Sequence, residues 1–357
     1  MASADVALPS PKSQLVDGGV EPQPALSLPS IKDVSVPKNG ENGVPVTVYD
    51  TVDPTVYLGP RGQEKHIVNR QGLKLRGYFW PAENAKAVLL FVHGHGAHLH
   101  FELLKAQGAG EPLAYEGSWV QSLNEAGISV AGIDNQGCGR SEGRHGLRFY
   151  VESFDDYVND VLLLRDEVEV YGPSFSALPI MISGISLGGC ISFTAAHRCP
   201  EKFRGVVLLA PMLSLERASR QGLNPYLRPV ANLLSRIVPA APIVATDRNT
   251  LYPDIQDLWD ADPLTCSGKT RVRNANEYLR ATEEAMASLD TVNFPFLVFH
   301  SENDTMCDPD GSKQLYLRAQ SSDKTLRLVN HMWHVLVKEA GNEKLCQDII
   351  EWISFRV

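Results

Sequence analysis

The chain is short of several things, and each shortage argues against a class of function. Lys plus Arg total 33 against 42 Asp plus Glu, for a formal charge of −9, so there is no basic excess to attract phosphate backbones or anionic membranes. The composition argues against a nucleic-acid partner. No apolar run approaches the roughly 18 residues that cross a bilayer, and the longest, Ala87 to Val92 and Gly205 to Leu213, have strand length. Six cysteines, at 138, 190, 199, 266, 307 and 346, contain no C-x-x-C pair and no metal spacing. A chain this long needs no disulfide staples, which leads to the expectation of a reducing cytoplasm. Arginine is absent before Arg61 while Asp5, Asp17 and Glu21 are present, and no apolar h-region occurs there. Neither a secretory signal nor an organelle transit peptide is expected.

What is present is material for a core, with 43% hydrophobic and 21% charged residues. Nine of the 23 prolines fall in the first 60 residues among Ser, Gly and Asn, and residues 1–45 read as a flexible Pro-rich leader. From residue 63 onward, short β-branched runs alternate with helical patterns. The strands expected are Lys65 to Val68, Leu73 to Phe79, Ala87 to Val92, Ile128 to Asp134, Pro179 to Gly184, Gly205 to Ala210, Pro295 to His300 and Thr325 to Val329. Helices are expected at Trp119 to Glu125, Phe154 to Val170, Leu187 to Arg198, Pro309 to Ala319 and Asn342 to Ile353. Several strands are apolar throughout, as strands covered on both faces must be. The pattern predicts an α/β fold with a mainly parallel eight-stranded sheet and helices on both faces. About 80 residues separate the sixth and seventh strands, too many for a structureless loop, so a helical cap is expected there. The expected division is a core in two parts, 46–211 and 294–357, around a cap at 212–293.

G-x-S-x-G occurs twice, at Gly184-Ile185-Ser186-Leu187-Gly188 and at Gly139-Arg140-Ser141-Glu142-Gly143. Its mechanical meaning is a sharp strand-to-helix turn that exposes a nucleophilic serine. Ser186 ends an apolar strand pattern and begins a helical one, whereas Ser141 lies in a polar loop and reads as a turn residue. A serine nucleophile needs a histidine base held by a carboxylate, in the chain order Ser, acid, His for this topology. Beyond the strand Pro295 to His300, Asp304 is favoured as the acid over Asp308, which suits a helix N-cap before Pro309. Beyond the last strand, His334 is favoured over His331, because its bulky and apolar neighbours would fix the ring. Acyl transfer also needs N–H donors for the developing oxyanion. Leu187 offers one, and His95, between Gly94 and Gly96, offers the second. His93, His95 and His98 match no standard zinc pattern, and Glu102 is the only carboxylate near them, so neither a metal nor any other cofactor is expected.

His93-Gly94-x-Gly-x-His98, the Ser186 motif, Asp304 and His334 in this order resemble the α/β-hydrolases, and within them the chain is similar to the monoacylglycerol lipase and lysophospholipase group. Asp134 to Gly143, Phe154 to Asp160, Ala261 to Leu264 and Asp323 to Leu328 resemble further strings of that group, across roughly residues 63–355. Cys138 stands where the group usually has His, and Gln107 to Ser118 lengthens the loop after the third strand. No His has Asp five positions later, so an acyltransferase string is absent. The resemblance implies a serine esterase that releases a fatty acid through an acyl-enzyme on Ser186, with Asp304 and His334 at the family's acid and base positions. Leu227, Leu233, Leu234, Ile237 and Val238 suit a cap that lines an acyl channel or touches a lipid surface. Competing readings are a carboxylesterase on smaller esters, a peptidase of the same fold, and a triad-retaining ligand-binding receptor.

Overall fold

The computed structural model describes Pro45 and residues 47–216, 231–244, 248–266 and 268–357, all within the unit Pro37–Val357. The expected leader, apart from Pro45, and Leu227 of the cap lie outside the described residues. Eight strands form the main sheet: β1 Gln63–Val68, β2 Lys74–Trp80, β3 Ala87–Val92, β4 Ile128–Ile133, β5 Ile180–Ile185, β6 Gly205–Leu209, β9 Phe296–Ser301 and β10 Lys324–Val329. Their order is β1-β2-β4-β3-β5-β6-β9-β10. The β1–β2 and β2–β4 pairs are antiparallel, and the other pairs are parallel. Every residue of β3, β4, β5, β6 and β9 is buried, which is why their sequences are apolar without alternation.

Two hydrophobic clusters cover the faces of this sheet. One gathers Val88, Leu90, Ile182 and Val206 with the helices Phe154–Glu167 and Leu187–Arg198. The other gathers Leu89, Phe91, Met181 and Val207 with Trp119–Glu125 and Asn342–Ser354. Helix starts follow local chemistry. Ser153 and Asp156 form a capping box, Ser118 accepts from Gln121 N–H, and Asp308 accepts from Asp310 N–H ahead of Pro309.

The insertion between β6 and β9 holds the helices Ala231–Ile237, Pro253–Ala261 and Val272–Ser288. It also holds a two-stranded antiparallel ribbon, β7 Pro242–Val244 with β8 Thr270–Arg271. The helix Ala231–Ile237 stops short of Pro239, and β7 starts at Pro242, because neither proline can extend the helix. Five strands, β3, β5, β6, β9 and β10, run parallel as successive neighbours. The loops after them emerge at one edge of the sheet, where open α/β sheets build their sites.

Candidate active site

Ser186 sits at the turn between β5 and the helix Leu187–Arg198, with φ 54° and ψ −120°. A non-glycine residue there stores roughly 1–3 kcal/mol of strain, which the surroundings must hold in place. They do so with three bonds: Ser186 N–H donates to Leu209 O (3.0 Å), and Ser186 O accepts from Met212 N–H (2.9 Å) and Cys190 N–H (3.2 Å). The flanking glycines are required by contact. A Cβ on Gly188 would lie 2.0 Å from Val92 O, and one on Gly184 would lie 2.2 Å from Gly188 O.

Asp304 follows β9 and His334 follows β10, and the two meet through His334 Nδ1–H donating to Asp304 Oδ2 at 2.7 Å. Both are buried. Asp304 Oδ1 accepts from Met306 N–H (2.8 Å) and Cys307 N–H (2.9 Å), while His300 Nε2 lies 3.3 Å from Oδ2. Burial pushes the Asp304 carboxyl up, but the His334 charge and the hydrogen bonds from His300 and His334 outweigh it and hold the group well below the carboxylate range. For His334, burial favours the neutral ring, yet the Asp304 charge and hydrogen bond leave its pKa above the ordinary 6.5. Ser186 and His334 line one pocket, together with Gly94, His95, Glu102, Ile255, Trp259, Met306 and Trp333. Ser186 Oγ is 3.7 Å from Cys307 Sγ. Cys307 therefore ties the acid's loop to the serine.

The loop after β3 approaches the serine closely: a Cβ on Gly94 would be 3.4 Å from Ser186 Cβ. The N–H groups of His95 and Leu187 have no backbone or side-chain acceptor among the described residues. The histidines of this loop have separate partners. His93 Nδ1–H donates to Gly94 O (2.8 Å) and its Nε2 accepts from Asn135 N–H (2.8 Å), and His98 Nε2 pairs with Asp262 Oδ2 (2.9 Å). His95 lies between Tyr278 and Thr270. His100 is packed among the rings of Tyr49, Tyr57 and Tyr78.

The other sequence candidates lie elsewhere. Ser141 Oγ accepts from Arg76 N–H (2.8 Å) and donates to Asp134 O (2.5 Å), so it braces a loop. His331 is exposed, and Asp308 caps its helix. Two acidic residues have roles in the site that the sequence reading did not assign. Glu339 accepts from the N–H groups of Trp333 (2.5 Å), His334 (3.0 Å) and Val335 (2.7 Å). Glu102 Oε1 accepts from Gly94 N–H at 2.9 Å. Burial raises the Glu102 carboxyl well above its ordinary range, against the pull of that N–H and of Lys338. A Glu five residues after His334, ahead of a helix, was the available signal for Glu339.

A strained strand-to-helix serine beside a buried Asp–His pair is the equipment of a serine hydrolase. The family model described as "Serine aminopeptidase, S33" matches residues 83–341. The chain belongs to this family. Its eight-stranded, mostly parallel sheet with helices on both faces is the α/β-hydrolase fold. Among curated relatives, it is similar to the monoglyceride lipase of Rattus norvegicus, with 29% identity over 297 residues that cover 82% of this chain and 90% of the relative. Among solved structures, it is similar to the monoacylglycerol lipase of Paleococcus ferrophilus (TM-score 0.65, 22% identity, 79% of this chain and 99% of the other). It is also similar to a soluble variant of monoglyceride lipase from Saccharomyces cerevisiae (TM-score 0.67, 18% identity, 84% and 97%). At these identities the structural likeness shows the fold.

Proposed function

We propose that this chain hydrolyses monoacylglycerols through an acyl-enzyme on Ser186. The observation that carries the reading is the 2.7 Å bond between His334 Nδ1 and Asp304 Oδ2, in the pocket that Ser186 also lines. Asp304 accepting at Nδ1 puts the imidazole lone pair on Nε2, where a base must present it. His334 removes the Ser186 proton as Oγ attacks the acyl carbonyl, and the N–H groups of His95 and Leu187 hold the oxyanion. Collapse expels the glycerol oxygen, which takes the proton back from His334. Water, deprotonated by His334, then cleaves the acyl-enzyme and releases the fatty acid. Side chains and backbone supply every group these steps use.

The choice of substrate is supported by the rat relative's name and by the pocket wall, where Phe101, Ile185, Ile255, Trp259, Met306, Trp333 and Val335 offer apolar surface to an acyl chain. Contact with a lipid surface is part of the proposal. Leu233, Ile237, Val238, Ile243 and Leu251 of the insertion are exposed, and such residues can enter an interface without the help of basic charge. No helix among the described residues is long and apolar enough to cross a membrane. Membership of a family described as serine aminopeptidases makes peptide hydrolysis the competing reading.

The test is a panel of long-chain monoacylglycerols, lysophospholipids, p-nitrophenyl acetate and aminoacyl p-nitroanilides, assayed with wild type and Ser186→Ala. Turnover should be highest on a monoacylglycerol and vanish in Ser186→Ala. Preference for acetyl or aminoacyl substrates would overturn the lipase reading, and a chain inactive on the whole panel would instead fit a binding protein.

A further inference from the structure

The oxyanion loop is held in two halves. Its first half is gripped by the loop's own residues, through Glu102 Oε1, on the short helix Leu99–Leu103, accepting from Gly94 N–H (2.9 Å) and the His93 ring on Gly94 O (2.8 Å). The second half is gripped by one stretch of the insertion. Cys266 N–H donates to Gly96 O (2.8 Å), Asp262 Oδ2 meets His98 Nε2 (2.9 Å), Thr270 Oγ1 meets His95 Nε2 (3.1 Å) and Tyr278 Oη meets His95 Nδ1 (2.9 Å). His95 stands between Gly94 and Gly96, and Gly96 has φ +74°. The peptide plane that carries the His95 N–H turns on the ψ of Gly94, which has no Cβ to restrict it, so the ring is a handle by which that N–H can be aimed.

The hydrogen bonds around that ring form a connected series. Val151 N–H donates to Asn274 Oδ1 (3.3 Å), which turns the amide so that Nδ2–H donates to Tyr278 Oη (3.0 Å). Tyr278 Oη also meets Tyr157, and it shares a hydrogen bond with His95 Nδ1, while the other ring nitrogen, Nε2, pairs with Thr270 Oγ1. The chain Val151–Asn274–Tyr278–His95–Thr270 thus runs from the core, through the insertion, to the oxyanion loop and back.

We propose that Tyr278 and Thr270 are positioning residues that aim the His95 N–H at the oxyanion, so that the reaction proceeds fully only when Asp262, Cys266, Thr270 and Tyr278 of the insertion are seated on the loop. This rests on the reading of His95 as an oxyanion donor in a Ser186 hydrolase. The insertion then does two things: it roofs the pocket and it completes the oxyanion site. Losing an oxyanion donor outright typically costs 10²–10³ in kcat, and a donor left present but loosely aimed should cost roughly tenfold.

The experiment compares wild type, Ser186→Ala, Tyr278→Phe, Thr270→Val, Thr270→Ser, His95→Ala and the Tyr278→Phe/His95→Ala double variant. The readouts are kcat and KM on a p-nitrophenyl ester, counted per active site titrated with a fluorophosphonate, together with the melting temperature. Tyr278→Phe keeps the buried ring and should lower kcat roughly tenfold with KM within about threefold. Thr270→Ser should retain the rate that Thr270→Val loses, and the double variant should be no slower than His95→Ala alone. Wild-type kcat per active site in Tyr278→Phe, or additive losses in the double variant, would overturn the positioning role and leave the hydrolase reading intact. Undiminished turnover in Ser186→Ala would overturn both.

Discussion

Replacing Glu339 should disable the proposed base without touching it. Its carboxyl is buried, with Oε2 accepting from Trp333 N–H (2.5 Å) and Oε1 accepting from His334 N–H (3.0 Å) and Val335 N–H (2.7 Å). Three consecutive peptide groups, His334's among them, are thereby pinned to one side chain. Glu339→Gln keeps one carbonyl oxygen. Placed at the Oε1 position, it preserves two bonds and turns its NH₂ towards the third N–H. A buried donor deprived of its acceptor costs about 1–3 kcal/mol, so Glu339→Gln should lose about that much stability. Glu339→Ala strips all three and should lose about 3 kcal/mol or more, with some of the cost recovered as the loop relaxes and admits water. In a chain of this size each kcal/mol moves Tm by roughly 1–2 °C, so Glu339→Ala should melt at least about 3 °C lower. Displacement of the imidazole should lower kcat by roughly 10- to 100-fold with a smaller change in KM. Scanning fluorimetry and ester turnover per titrated active site measure both quantities. A Glu339→Ala protein with wild-type Tm and wild-type kcat would refute the reasoning.

Further expectations concern the acid, the elbow and the second serine. His334 must be neutral to accept a proton, and its pKa lies above 6.5, so kcat/KM should fall as pH drops through a value above 6.5. Asp304→Asn should move that limb to lower pH and reduce kcat on the order of 10⁴-fold. The folded pKa of Asp304 is depressed, so its stabilising contribution is present above the unfolded value of about 3.9 and is lost as acid titration passes the folded value. The raised His334 has the opposite sign: its contribution is present below 6.5 and lost as pH rises through its folded pKa. Urea midpoints across pH separate the two. Gly188→Ala should yield unfolded or insoluble protein, since its Cβ would meet Val92 O at 2.0 Å and His93 O at 2.6 Å. Ser141→Ala should cost about 1–3 kcal/mol by unpairing Arg76 N–H and keep its turnover per active site.

The parts of the fold legible in the sequence are those governed by burial over a short span. β3 and the helices Trp119–Glu125 and Leu187–Arg198 begin and end at the residues their patterns indicate. Continuous apolar runs mark strands covered on both faces, and a serine or a glycine marks the helix edge. The expected helix Phe154 to Val170 instead becomes 3₁₀ from Val168, a change of winding that apolar spacing does not register. The short helix Leu99–Leu103 inside the oxyanion loop and the β7–β8 ribbon were not legible, being a single turn and a two-residue pairing respectively. In the site, the order of Ser186, Asp304 and His334 could be read because each follows a strand end. Glu102, Tyr278 and Thr270 could not, since their partners are Gly94 and His95, and for Tyr278 the separation is 183 residues. Glu339, close to His334 in sequence, became meaningful only when the chain turned its carboxyl back onto three N–H groups.

The most direct test of the central claim is to treat the protein with an alkyl fluorophosphonate, measure its intact mass and map the modified peptide. A single phosphonyl adduct on Ser186, slowed as pH falls below the His334 pKa and absent from Ser186→Ala, is the predicted result. No adduct on wild type, or an adduct on Ser141 in place of Ser186, would contradict it.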